Sequence, residues 1–302
     1  MVQIAMEPKV FPEYLAAAES AGAEVVPMGP NVKGLIWLDY SKPQDLEKML
    51  DENPQIEWVQ LPFAGVDAFS ESIKRPIRFT SAKGSYREPV AEHAIALSLA
   101  LMRIIPERVR TKTWGRQFAD SLYDGNVLIF GGGGITEELV KLLTPYRSNI
   151  TVVRNRAQSM AGVAKTVSFH ELDEQLQDAD LVILAAALTP ETTHLFDESK
   201  FAMMKQSAYL VNVARGPMIV TEDLISALEN GVIAGAALDV TDPEPLPDEH
   251  PLWNATNIII TPHSADTRAQ VVRLFSLRIQ ENVRAFETGS GWVGQVDPVL
   301  GY

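Results

Sequence analysis

Short apolar runs alternate with amphipathic stretches along almost the whole chain, and this alternation restricts the fold more than any other feature. Residues 2–5, 24–26, 35–38, 58–60 and 78–80 read as strands in the first part of the sequence. Amphipathic stretches at 13–21 and 44–50 read as helices between them, and Ser41 with Pro43 and Gln44 reads as a helix start. A long helix is expected from about Pro89 through Met102. A second series follows, with strands at 127–130, 150–153, 181–184, 209–213, 235–238 and 258–260. Ser168 with Glu171 predicts a capping box, Thr221 opens another helix, and 268–287 predicts a final amphipathic one before a Gly-rich tail. Strands that alternate with helical stretches pair in parallel, because each crossover covers a sheet face. The expected class is α/β with parallel sheets.

The 302 residues, 46% of them hydrophobic, exceed what one core usually holds, so two domains are expected. The formal net charge of -13 repels nucleic acid and anionic membranes, so any phosphate must be bound by a local site. The absence of cysteine excludes disulfides, a thiolate zinc site and a cysteine nucleophile, and it suits a reducing cytoplasm. The N-terminus lacks a basic region, and Glu7 and Pro8 interrupt its apolar run, so no signal peptide is expected. The most apolar stretch, 94–105, contains Ser98 and Arg103 and is too short and polar to span a bilayer.

Residues 127–143 read VLIFGGGGITEELVKLL, a buried strand, a glycine turn and an amphipathic helix. The fit to G-x-G-x-x-G uses Gly131 and Gly133, with Thr136 in place of the third glycine. Gly131 would permit the tight turn, and Gly133 would let backbone N–H groups approach a pyrophosphate at the helix N-terminus. Thr136 puts a β-branched side chain where helix and strand should pack closely. Such a turn alone is also compatible with a purely structural role.

The stretch YLVNVARGPMIVTEDLISALENGVIAGAALDVTDPEPLP from Tyr209, followed by PLWNATNIIITPHSA ending at Ala265, is far more specific. With VAEHAIALSLALMR from Val90 and LTPETTHLF from Leu188, it closely resembles the D-isomer-specific 2-hydroxyacid dehydrogenase family. The resemblance runs from about Glu57 to Phe286 and is weakest in the first fifty residues. It implies two Rossmann/flavodoxin-like domains with the active site in the cleft between them. Residues 1–98 and 270–302 would form the substrate domain, and 99–269 the dinucleotide-binding domain. It also implies a homodimer formed through the cofactor domain.

Carried over by position, the resemblance makes Arg215 of VARG, Glu244 of DPEPL and His263 of TPH the catalytic residues. Substrate carboxylate would be held by Arg215 and by the backbone turn at Ala64 and Gly65. The cofactor would meet Gly131, Gly133, Gly134, Ile135, Arg154, Asn155, Arg156, Leu188, Val213, Ala214, Asp239 and His263. The chemistry suits these types. Hydride transfer to a ketone builds negative charge on its oxygen, which a guanidinium can stabilise while it grips a carboxylate. An imidazolium is the natural proton donor near neutral pH, and a neighbouring carboxylate orients it and favours its charged form. Taken singly, each would be read blandly: His263 as a turn histidine, Arg215 as a surface arginine, Glu244 as a solvated loop acid. The motif set reverses those readings. His93 of VAEH is read as structural, and Trp253 as packing a loop or an interface. Trp37, Tyr86 and Arg87 are candidates for lining the pocket, with Phe63 as an apolar wall.

The reading is a reductase of a small 2-oxo acid, of the glyoxylate or hydroxypyruvate kind, giving a D-2-hydroxy acid. Alternatives on the same scaffold are a dehydrogenase of 3-phosphoglycerate, formate or phosphite, a nucleotide-sensing corepressor, or a binding protein with weak catalysis. No metal is expected. After the second strand of the cofactor domain stand Arg154, Asn155 and Arg156, where an acidic residue would select NAD(H), so NADP(H) is expected to be preferred.

Overall fold

The structure is a computed structural model, and it describes residues 1–115, 117–155 and 157–299. Two compact units emerge. One joins Met1–Tyr86 to the chain from Thr267 onward, and the other is Arg87–Asp266.

The first unit is built on a parallel sheet of β1 (Val2–Glu7), β2 (Ala23–Val25), β3 (Gly34–Trp37), β4 (Trp58–Gln60) and β5 (Arg78–Thr80), in the order β2-β1-β3-β4-β5. Alternate residues face opposite ways along a strand, so each strand feeds two cores. Ile4, Met6, Ile36 and Trp58 pack with Ala17 and Ala18 of α1 (Pro12–Ser20) and with Phe275, Ile279 and Val283 of the C-terminal helix Arg268–Thr288. Ala5, Leu35, Trp37 and Val59 pack on the other face with Leu46 and Leu50 of α2 (Pro43–Glu52). The expected helix start holds at Pro43, but the Ser41 hydroxyl donates to Asp39 and makes no cap; Lys42 takes the cap position. Trp37 is 2% exposed within this core, which corrects its candidacy as a pocket residue.

The second unit opens with α3 (Arg87–Met102) and α4 (Ile105–Arg110). Its sheet contains β6 (Asn126–Phe130), β7 (Asn149–Val153), β8 (Lys165–Val167), β9 (Leu181–Leu184), β10 (Tyr209–Asn212), β11 (Gly235–Leu238) and β12 (Ile258–Ile260). All pairings are parallel, in the order β12-β11-β10-β9-β6-β7-β8. Val127, Ile129, Ile183 and Val211 pack under α3 and α5 (Gly134–Leu143). Leu128, Phe130, Leu184 and Leu210 pack on the opposite face with α6 (Leu172–Leu176), α7 (Glu198–Met203) and α8 (Thr221–Glu229). The second unit includes α3, whose buried Ala91, Ala94, Leu97 and Leu101 share a core with Leu139 and Val140 of α5 and Val211 of β10. Strand β8 was not expected from sequence; its three residues, only one of them buried, leave too short an apolar run to detect. Among the described residues no helix is long and apolar enough to cross a membrane, and no group of acidic residues and histidines could hold a metal ion.

Candidate active site

The chain leaves β6 toward β7 on one side and later returns through β9 on the other. The carboxyl ends of β6 and β9 therefore flank a topological switch point, where open α/β sheets bind ligands. The glycine turn lies there. Gly131 has φ +124°, and a Cβ on it would stand 2.5 Å from the Ala185 carbonyl oxygen just past β9, so only glycine fits. Gly133 is the cap of α5, and a Cβ there would meet nothing within 4 Å. The space beside Gly133 is open, so the N-terminus of α5 at Gly134 and Ile135 is not covered by a side chain from this position. It fits a dinucleotide pyrophosphate.

Thr136 is fully buried without clashing. Its hydroxyl donates to the Gly131 carbonyl at 2.9 Å, across the turn it was expected to disturb. The third glycine of the fingerprint is replaced by a side chain that satisfies its own polarity locally, which removes the packing objection.

At the end of β7, Arg154 donates its backbone N–H to Val167 and lays its side chain over Gly132, where a Cβ would lie 2.7 Å from Nε. Asn155 follows, exposed. Arg156 lies outside the described residues. Past β9, Leu188 packs against the core. At the end of β10, Val213 and Ala214 are buried, and Arg215 extends beyond them. The buried Asn212 shapes this exit: its amide donates to the Arg215 carbonyl at 2.9 Å and its oxygen accepts from the Ala214 N–H at 2.9 Å. An asparagine inside a strand run is uncommon, and that was the available signal for it. The Arg215 guanidinium donates to the Ala214 carbonyl at 2.7 Å. Gly216 is pressed against the backbone of Thr241, where a Cβ would lie 1.9 Å from the carbonyl oxygen. This contact ties the arginine strand end to the loop that carries Glu244.

Glu244 and His263 form a pair: Nδ1 lies 2.6 Å from Oε1, with the two side chains 50% and 41% exposed for histidine and glutamate. The carboxylate therefore fixes the ring through one nitrogen and leaves the other, Nε2, for a second partner. The other carboxylate oxygen accepts from the Thr241 N–H at 3.4 Å. Asp239, at the end of β11, is by contrast 2% exposed. Burial pushes its carboxyl up, but hydrogen bonds from His93, Thr261 and the Ser264 N–H outweigh this and hold it below the ordinary carboxylate range. Arg215, Asp239 and His263 thus leave the carboxyl ends of three adjacent strands, β10, β11 and β12.

Ala64 and Gly65 belong to the other unit, in the turn between β4 and the short 3-10 helix Asp67–Phe69. There Phe63 stacks on Tyr86 with ring centres 5.2 Å apart, and Tyr40 meets Phe63 edge-on at 4.9 Å. The Tyr86 hydroxyl donates to the Pro62 carbonyl at 3.0 Å. Tyr40 was not singled out from sequence. Arg87 lies 3.3 Å from Glu138 of α5 in an ion pair.

The model of the D-isomer specific 2-hydroxyacid dehydrogenase NAD binding domain matches residues 95–265. The chain is 36% identical to an uncharacterized protein in the proB 3' region of Corynebacterium melassecola, over 100% of both. It is 35% identical to the glyoxylate reductase of Thermofilum pendens over 72% of this chain and 68% of that one. A D-isomer specific 2-hydroxyacid dehydrogenase from Xanthobacter autotrophicus Py2, solved with NADPH and MES, shares the fold with a TM-score of 0.86 at 24% identity, covering 100% of this chain and 99% of that one. Fold, glycine turn and strand-end residues together are those of an NAD(P)-dependent oxidoreductase. The chain belongs to the D-isomer specific 2-hydroxyacid dehydrogenase family.

Proposed function

We propose that this protein reduces a small 2-oxo acid to its D-2-hydroxy acid with NADPH as the preferred reductant. The observation that carries the reading is the Glu244–His263 pair at 2.6 Å on the same sheet edge as Arg215 and the glycine turn. Arg215 holds the substrate carboxylate and polarises the adjacent carbonyl. His263 gives a proton from Nε2 to the developing alkoxide, while Glu244 holds Nδ1 and stabilises the charged ring. When bound, the reduced nicotinamide supplies the hydride. Gly131, Gly133, Gly134 and Ile135 bind its pyrophosphate, and Leu188, Val213, Ala214, Asp239 and His263 border the nicotinamide.

Arg154 and Asn155, with Arg156, support the choice of NADPH, because they can pair with a 2′-phosphate where an acidic side chain would repel it. Glyoxylate and hydroxypyruvate are the first substrates to test, given the glyoxylate reductase among the relatives. Such an enzyme would draw on the cytoplasmic pool of reduced nicotinamide. The reading includes a homodimer. Its support is a set of exposed apolar side chains close in sequence on the second unit: Ile105, Val109, Trp114 and Phe118 are 47%, 73%, 89% and 45% exposed. Beside them is a groove of about 310 Å³ lined by Pro106, Arg110, Trp253 and the edge strand β12.

Steady-state kinetics on a panel of 2-oxo acids with NADPH and NADH test the activity. His263→Ala should lower kcat by about 10² to 10⁴, the usual range for acid–base catalysis, while NADPH still binds. A near-normal kcat in that variant, or no turnover of any 2-oxo acid by the native protein, contradicts the reading.

A further inference from the structure

His263 has φ +49°, a left-handed conformation that a side chain makes costly and that the surroundings must therefore impose. The restraint comes mainly from Asp239, with a second bond from the His263 N–H to the Thr261 carbonyl at 3.0 Å. The His263 N–H donates to the Asp239 backbone carbonyl at 2.8 Å, and the next two N–H groups, of Ser264 and Ala265, donate to the two Asp239 carboxylate oxygens at 3.0 and 3.1 Å. Three successive amides thus end on Asp239.

Asp239 is in turn held from α3. The Thr261 hydroxyl donates to Asp239 Oδ1 at 2.5 Å. His93 Nε2 lies 3.0 Å from the Thr261 hydroxyl oxygen and 3.2 Å from Asp239 Oδ1. The Thr261 proton is already committed to Asp239, and a carboxylate only accepts, so both neighbours of Nε2 require it to carry a proton. A histidine that serves packing alone has no need of this tautomer.

We infer that His93 is a positioning residue for the catalytic step: through Thr261 and Asp239 it fixes the loop that aims His263. The inference rests on the reading of His263 as the proton donor. It gives Asp239 a loop-clamping role in addition to any contact with cofactor, and gives Thr261 a part that sequence reading did not assign. Charge does the clamping. Two backbone N–H groups converge on a carboxylate that is almost wholly out of water, where such bonds are strong when complete and costly when broken.

The test compares His93→Leu, His93→Gln and Thr261→Val with the native enzyme by kcat and KM for the 2-oxo acid, by NADPH Kd from fluorescence titration, and by hydrogen exchange of the 261–266 segment. In His93→Leu, kcat should fall about ten- to a hundredfold, as for a catalytic group slightly displaced, with KM and Kd within about twofold. The Ser264 and Ala265 amides should exchange faster while the rest of the chain does not change. His93→Gln, which keeps an N–H donor, should recover most of kcat. Thr261→Val should resemble His93→Leu and serves if that variant does not fold. Unchanged kcat with unchanged loop exchange overturns the inference; so does faster exchange everywhere, or a raised Kd for NADPH with kcat retained. A native protein inert to every 2-oxo acid overturns the activity reading instead, and the exchange comparison still decides whether His93 holds the loop.

Discussion

Arg215 shows how much a single side chain is expected to do. A planar fork can grip a carboxylate with two bonds and still reach the adjacent carbonyl, whereas lysine offers a point charge. Arg215→Lys should therefore raise KM and lower kcat together, costing kcat/KM about 10² or more, equivalent to roughly 3 kcal/mol. Full kcat/KM in that variant would refute the role. Arg154 carries the cofactor preference. Losing one charge-assisted bond of about 1.5–3 kcal/mol should cost roughly ten- to a hundredfold, so Arg154→Asp should abolish or invert the NADPH over NADH ratio. Equal use of both by the native enzyme would disprove the preference. Asp239 makes a prediction in pH. Its folded carboxyl titrates below its unfolded value of about 3.9, so the stability it contributes is present above that pH and lost as pH falls through the lower folded value. Urea unfolding should find Asp239→Asn less stable than native protein near pH 7, with the gap closing below about pH 4. A constant gap across that range would show that its ionisation does not matter to folding.

At the scale of the element, α5 and the turn before it act together. The β6 strand delivers Gly131 against Ala185, and Thr136 in the first turns of the helix reaches back to the Gly131 carbonyl. Thr136→Val keeps the shape and deletes the donor, leaving a buried carbonyl unsatisfied at a cost of about 1–3 kcal/mol. The expected result is a lower Tm and weaker NADPH binding, with Thr136→Ser close to native in both. Tm and Kd values for Thr136→Val equal to the native ones would show that the bond does not hold the turn. The capping region of Ser168 behaves as its sequence suggested: the Glu171 carboxylate accepts from the Ser168 N–H and hydroxyl at 2.9 and 2.8 Å. Ser41 had a similar local sequence and failed as a cap, because the nearer Asp39 carboxylate captured its hydroxyl at 2.6 Å.

For the whole molecule, the exposed apolar residues between Ile105 and Phe118 should be covered by a second copy of the chain. Light scattering should report a dimer for the native protein. Val109→Asp combined with Trp114→Asp should give monomers, since each introduces a charge that would have to be desolvated in the interface. A native monomer at micromolar concentration would remove the dimer from the reading. The C-terminal helix presents a different dependence. It crosses back to complete the first unit, and Ile279 on it is fully buried against β1, β3 and β4 residues. The first unit is therefore assembled from both ends of the chain.

Much of this was already written in the chain. Alternating apolar runs placed nearly every strand, because side chains on a strand with two covered faces must be apolar whatever surrounds them. The spacing of Gly131 and Gly133 was legible because a tight backbone turn demands glycine, whereas Arg215, Asp239, Glu244 and His263 stood out only through the resemblance of the motifs around them. The tertiary structure decided what depends on distant partners. That Thr136 helps the glycine turn, that Trp37 is buried in the core, and that Gly216 must be glycine all follow from atoms brought close by folding. So does the fate of His93, which reads as a packing residue along α3. Only the sheet order, which brings the ends of β11 and β12 under that helix, sets its ring nitrogen beside Thr261 and Asp239. Hydrogen bonds are short-ranged and directional, so a sequence can supply the donor and the acceptor while the fold alone determines that they meet.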